Sequence, residues 1–216
     1  MKILAPERMA KYDDYSIRTW GIPSMVLMEN AGRSSYRLIK ERYLQDGGTV
    51  VVFCGRGNNG GDGFVIARYA LRDGSKTEVY LLCSRGDVKG DAALNMRLYE
   101  SLGGRTIEIG DDAARVESAV MHAQVIVDAI FVTGLSKPLS DRDRAVVDTI
   151  NRSGTPVVAV DIPSGIDGKT GRIMGGAVEA SFTVTFGYPK PGHFLYPGAH
   201  HTGHLAVVDI SLPVSA

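Results

Sequence analysis

Asp161 follows the apolar run Val157–Val160 and opens the segment Asp161-Ile162-Pro163-Ser164-Gly165-Ile166-Asp167-Gly168. An acidic side chain placed directly after a buried strand is a candidate general acid or base, because partial burial lifts its pKa toward neutrality. Asp128, second to Asp161 in this respect, falls near the end of the apolar stretch 125–130 and is followed by Ala129-Ile130-Phe131-Val132-Thr133-Gly134-Leu135-Ser136-Lys137-Pro138. A third polar cluster, Gly55-Arg56-Gly57-Asn58-Asn59-Gly60-Gly61-Asp62-Gly63, interrupts the pattern between a strand-like run and a helical one. Its glycines free the backbone to take positive φ and let N–H groups approach a ligand closely. Asp62 falls at the expected helix start, where a carboxylate repels phosphate unless a cation or hydroxyl groups intervene. The loop therefore reads as a grip on a polar, hydroxyl-bearing part of a nucleotide-like ligand. Each cluster also has a plain alternative: Asp161 serves the turn that Pro163 and Gly165 make, and Asp62 caps the helix.

Asn59, Asp128 and Ser164 could supply hard oxygen ligands for a cation. His200, His201 and His204, flanked by Gly198 and Gly203 without cysteine or carboxylate at ligand spacing, read as a solvated turn and not as a zinc site. Lys137 and Lys190 lie in proline-containing loops and read as surface lysines able to meet a phosphate.

These residues need a frame that gathers them. From Pro6 to Tyr43 the apolar spacing is helical, with a break at Gly21-Ile22-Pro23, giving an N-terminal helical pair. Strand-like runs follow at 50–54, 78–83, 106–109, 125–130 and 157–160, separated by helical patterns at 64–71, 91–102, 113–122 and 144–151. The runs are almost continuously apolar, as in strands buried on both faces of a parallel sheet. Two later strands, 182–186 and 205–210, extend the sheet at one edge, and the proline- and glycine-rich stretch 187–198 between them reads as loop. The fold class is α/β: a Rossmann-like three-layer αβα sandwich with a mostly parallel sheet, one domain over residues 1–216. Ligands of open parallel sheets bind outside the carboxyl ends of the strands, so the three clusters share one rim.

Composition narrows the partners. Lys plus Arg and Asp plus Glu both total 24 in 216 residues, so no basic excess points to nucleic acid or an anionic membrane. The first residues lack a signal-peptide run, and the expected setting is cytoplasmic. Cys54 and Cys83 each end an apolar run, with no neighbour at metal or redox spacing, and read as buried free thiols.

Three segments in order, GRGNNGGDG at 55–63, DAIFVTGL at 128–135 and VDIPSGID at 160–167, resemble the NAD(P)H-hydrate epimerases, also known as the YjeF N-terminal domain. LMENAG at 27–32 and FGYPKPGHFLYPG at 186–198 look like the same family's helical entry and late loop, so the likeness covers essentially the whole chain. The resemblance implies a homodimeric Rossmann-like sandwich that interconverts the R and S forms of hydrated NADH and NADPH (NADHX and NADPHX). It implies substrate contacts at Asn58, Asn59, Gly60, Gly61, Asp62, Val132, Thr133, Gly134, Leu135, Ser136, Lys137, Pro138 and Asp161. It further implies a potassium ion on Asn59, Asp128 and Ser164, and Asp161 as the acid/base. Val132 departs from the glycine usual after DAIF and adds β-branched bulk to the substrate loop. The dehydratase often fused to this domain is expected on a separate protein. Two other readings compete: a non-catalytic nucleotide-binding or scaffolding module of the same fold, and an oxidoreductase using the GxGxxG spelling. The second wants an acidic residue at the end of the second strand, where this chain has Cys83-Ser84-Arg85.

Overall fold

The computed structural model describes residues 2–45, 47–110, 113–131 and 137–213. Seven strands form one sheet: β1 (Thr49–Cys54), β2 (Lys76–Leu81), β3 (Arg105–Glu108), β4 (Val125–Ala129), β5 (Val157–Val160), β6 (Phe182–Phe186) and β7 (His204–Val208). Their order is β3-β2-β1-β4-β5-β6-β7, and every pairing is parallel. The late strands β6 and β7 extend the β5 edge, as their sequence suggested.

Side chains alternate across this sheet. Val50, Val52 and Cys54 of β1 join Val127, Val158 and Val184 under α2 (Ser24–Tyr43), α3 (Asn58–Arg72) and α4 (Gly90–Ser101). Val51, Phe53, Ile126 and Val157 face the other way, onto α5 (Ala113–Met121) and α6 (Asp141–Arg152). That gives the three layers. Helix α6 starts three residues earlier than its apolar spacing suggested, because Ser140 caps it by accepting a 3.1 Å bond from the Asp143 amide. The first helix, α1 (Pro6–Arg18), buries only Met9 and Ser16 of its own residues and lies over the carboxyl rim of the sheet.

The order in which successive strands are laid across the sheet reverses between β1 and β4. The glycine cluster leaves β1 and Asp128 sits near the end of β4, so two of the polar clusters meet at the switch point. The glycines there do not take positive φ, contrary to the sequence reading. They permit contact. A Cβ on Gly60 would lie 2.0 Å from the Gly55 carbonyl oxygen, and one on Gly63 would lie 2.7 Å from Ala129 Cβ and from Cys54 Sγ. Glycine is needed because α3 begins directly against the strand ends. The helix starts at Asn58, so Asp62 is its fifth residue and caps nothing; Gly57 holds the cap position.

Three further expectations are corrected by packing. The stretch 187–198 contains a 3-10 turn, Pro191–His193, and leads into α7 (Gly198–Thr202). His200 and His201 lie on α7, and His201 is buried with Nδ1 3.0 Å from the Val178 carbonyl, while His204 opens β7. Cys54 is buried, but Cys83 is half-buried. Among the described residues no helix is long and apolar enough to cross a membrane.

Candidate active site

A cavity of about 330 Å³ opens where α1, α2 and the first turns of α3 meet the ends of β5 and β6. Met9, Leu27, Met28 and Phe186 give it an apolar lining; Asp13, Asn58, Asn59, Asp62, Asp161 and Lys190 give it polar groups. The N-terminal helical pair thus supplies one wall and the sheet rim the other.

Asp161 is the first residue beyond β5, and its backbone has φ 67°, in the left-handed region. A non-glycine residue there costs on the order of 1–3 kcal/mol and is held only where the surroundings fix it. Its amide donates to Val184 O at 2.8 Å. Its carbonyl receives the His193 Nε2 proton at 2.9 Å. The Lys190 amide donates to His193 Nδ1 at 3.0 Å, which makes Nδ1 the acceptor and leaves the ring proton on Nε2. Burial pushes the His193 pKa down to about 4, so the ring stays neutral. This backbone clamp aims the Asp161 side chain at the cavity.

The carboxyl itself meets a cation that sequence reasoning had left on the surface. Lys190 is 2% exposed, and its Nζ donates to Asp161 Oδ1 and, at 2.9 Å, to Thr185 Oγ1. The Thr185 hydroxyl donates to the same Oδ1 at 2.9 Å. Burial pushes the Asp161 pKa up, but Lys190 and Thr185 outweigh it, and the net shift is downward. The expectation that burial lifts Asp161 toward neutrality is therefore overturned: Asp161 is a carboxylate at neutral pH. Oδ2 accepts no hydrogen bond from any described residue and is free for a ligand. The signal for Lys190 was its place between Pro189 and Pro191, in a stiff segment leaving a strand at the ligand rim.

Asp128 behaves as burial alone would have it. It is fully buried, its pKa is pushed up to about 6, and its bonds to Ser164 and Ile130 only partly offset that. Ser164 Oγ donates to Asp128 Oδ1 at 2.6 Å, and the Ser164 amide donates to Oδ2 at 2.8 Å. The Phe131 amide donates to Ser164 Oγ at 3.0 Å, while Asn59 Nδ2 donates to Phe131 O at 2.8 Å. Asn59, Asp128 and Ser164 are thus brought together around the Phe131 backbone. Asn59 Oδ1 is buried and has no partner among the described residues. An orphaned buried carbonyl oxygen beside a carboxylate and a hydroxyl is a donor set that suits a hard cation. Among the described residues no three His, Cys, Asp or Glu side chains gather as a metal-binding group.

Of the remaining cavity carboxyls, Asp91 accepts a hydrogen bond from the Ser24 hydroxyl, whereas Asp62 and Asp13 lack such support. Asp62 is 8% exposed, and its pKa is pushed well above the usual carboxylate range by burial, then by Asp161 and Asp13, against the pull of Lys190. Asp13 is pushed up to about 6 by burial and Asp161, again opposed by Lys190. Asp13 went unnoticed in the sequence because α1 shows only an amphipathic pattern there. Of the other residues expected at the substrate, Gly60 and Gly61 are buried at the start of α3, and Lys137 and Pro138 are exposed. Val132, Thr133, Gly134, Leu135 and Ser136 lie outside the described residues.

The profile of the family described as YjeF-related protein N-terminus matches residues 24–192. A protein of Rhodopirellula baltica named NAD(P)H-hydrate epimerase is 34% identical over 209 residues, covering 96% of this chain and 84% of that protein. One of the same name from Oenococcus oeni is 34% identical, covering 97% of this chain and 96% of its own. A Moorella thermoacetica protein named bifunctional NAD(P)H-hydrate repair enzyme Nnr is 39% identical over 99% of this chain. This chain spans only 41% of that longer protein's length. In structure, yeast YNL200c is similar over 97% of this chain and 88% of its own, with a TM-score of 0.81 at 22% identity, a likeness of fold.

Proposed function

The chain belongs to the YjeF-related protein N-terminus family, and on that premise we propose that it interconverts the R and S forms of hydrated NADH and NADPH at nicotinamide C6, with Asp161 transferring the proton. The observation that carries the assignment is the Asp161 carboxylate, held by Lys190 and Thr185 with one oxygen open to a cavity. A cavity of about 330 Å³ lies at the small end of ligand sites, which run from about 300 to 1,000 Å³. It suits the ring end of a dinucleotide, with Met28 and Phe186 against the ring and the remainder running outward.

The substrate carbon is a hemiaminal, bearing both the hydroxyl and the ring nitrogen. Its configuration is lost when either bond opens, to an iminium by loss of water or to an aldehyde by ring opening. Ring opening removes a proton from the C6 hydroxyl. The iminium route gives one to the departing hydroxyl and removes one from the water that adds back. In each, Asp161 Oδ2 is placed and charged to accept the proton that leaves an oxygen. Lys190 favours the carboxylate that accepts the proton, and the left-handed backbone, clamped by His193, keeps it aimed.

A potassium ion would be held by Asn59 Oδ1, Asp128 and Ser164, which fit it by their hard oxygens and by the orphaned amide carbonyl. Bound there, it would supply fixed positive charge that offsets the buried Asp128 carboxyl and anchors the start of α3. The protein is expected to act as a homodimer in the cytoplasm. The scaffold reading is weaker because a module that only binds has no use for a strained, ion-paired carboxylate in its cavity. The oxidoreductase reading loses support because α3 begins at Asn58 against the strand ends and places the carboxyl of Asp62 on the cavity.

A time course of purified R-NADPHX tests this, with the protein and with Asp161→Asn alongside. The expected result is conversion to the R/S mixture far above the spontaneous rate, lost in the variant. A rate equal to that of buffer at every protein concentration would leave a binding module.

A further inference from the structure

The cavity places carboxyls on two walls, and the proton transfer assigned to Asp161 uses only one of them. Asp161 projects from the sheet rim with Lys190 on its Oδ1. Asp13 comes from the middle of α1, on the helical wall, and its Oδ1 is buried without a hydrogen-bond partner among the described residues. Asp62, nine-tenths buried on α3, likewise receives no hydrogen bond from a described residue. A cavity carboxyl with no donor nearby is satisfied best as the acid, when it carries a proton to give. Lys190 is already committed to Asp161 and Thr185. Lys190 thus serves one carboxylate; Asp91 has the Ser24 hydroxyl, and Asp13 and Asp62 are the cavity carboxyls left with no donor among the described residues.

Building on the epimerase reading, we propose that Asp13 is a second catalytic residue, the general acid that faces the Asp161 base across the cavity. The C6 hydroxyl oxygen on the Asp13 side takes the Asp13 proton; the C6–O bond breaks, water leaves, and the ring nitrogen lone pair forms the iminium. A water on the Asp161 side then adds its oxygen to C6 and gives its proton to Asp161 Oδ2. One water leaves and one enters, so the hydroxyl returns on the opposite face. The two carboxyls end with their roles exchanged, ready to run the reverse epimerisation.

Two readouts test this. The first is Asp13→Asn, which keeps the shape of the side chain. A general acid contributes about 100- to 10,000-fold, so kcat should fall at least about 100-fold in both directions while KM moves less than about threefold. The second is oxygen exchange by the wild-type protein in ¹⁸O water, read by mass spectrometry on the initial epimer formed. One solvent oxygen should enter C6 per inversion, whereas ring opening retains the original oxygen. A kcat for Asp13→Asn within threefold of wild type, or retention of the substrate oxygen, overturns the inference. The label needs no variant, so it decides even if Asp13→Asn fails to fold. Wild-type activity lost only in Asp161→Asn would spare the epimerase reading and remove Asp13 alone; a wild type without activity would remove both.

Discussion

Replacing Lys190 with Met removes the charge beside Asp161 and keeps most of the aliphatic length. Lys190 is 2% exposed and the Asp161 side chain 17%, so the pair is shielded from water. Removing one partner of such a pair costs about 3–5 kcal/mol, because the remaining charge stays buried. For a chain of 216 residues each kcal/mol lowers the melting temperature by about 2–4 °C. The expected loss near pH 7 is therefore about 6–20 °C. Its pH dependence separates the effect of charge from that of packing. In the wild type the Asp161 pKa lies below its unfolded value, so its stabilisation is present above about pH 4 and is lost as pH falls through the folded pKa. In Lys190→Met, burial together with Asp62 and Asp13 raises the Asp161 pKa, so destabilisation grows as pH rises above the unfolded value. The gap between the two proteins should thus narrow steadily from pH 7 to pH 4, measured by calorimetric melts at fixed ionic strength. A gap of the same size at both ends would mean that Lys190 only fills space.

Other perturbations have defined outcomes. His193 has a folded pKa of about 4 against an ordinary 6.5, so the stability it contributes is full above pH 6.5 and is lost as pH falls toward 4, by about 3 kcal/mol in all. His193→Gln should flatten that stretch of the stability profile in urea titrations. Gly60→Ala places a Cβ 2.0 Å from the Gly55 carbonyl, and neither backbone can move without shifting α3 off β1. A loss of about 1–3 kcal/mol or more is expected, with the melting temperature as readout; a neutral result would refute the close-contact account of the glycines. Potassium chloride should raise the melting temperature above that in sodium chloride at equal ionic strength, and Asn59→Ala should abolish the difference.

The frame was legible because continuous apolar runs have one economical use, as strands covered on both faces. β5 and β6 match their sequence bounds residue for residue, since Pro156 and Asp161 punctuate one and Ser181 and Gly187 the other. The edges were less clear: β7 ends at Val208 and not at Ile210, because an edge strand lacks the second neighbour that fixes its length. In the site, strand-terminal carboxyls marked Asp128 and Asp161, and the asparagines marked the loop. Their charge states could not be read locally. Asp161 and Asp128 look alike in sequence, yet one meets Lys190 from 29 residues downstream and the other meets only neutral donors. The glycines were misread for a related reason. Glycine spelling does not separate freedom in φ from freedom to touch, and here β1 and α3 needed the second. Asp13 carried no local signal at all, since its role depends on where α1 lies over the rim.

The measurement that bears most directly on Asp161 as the proton-transferring group is a crystal structure of Asp161→Asn soaked with NADPHX. The account predicts the nicotinamide ring inside the cavity, with its C6 hydroxyl about 2.6–3.2 Å from the position of Asp161 Oδ2. A ring bound outside the cavity, or with C6 turned away from residue 161, would contradict it.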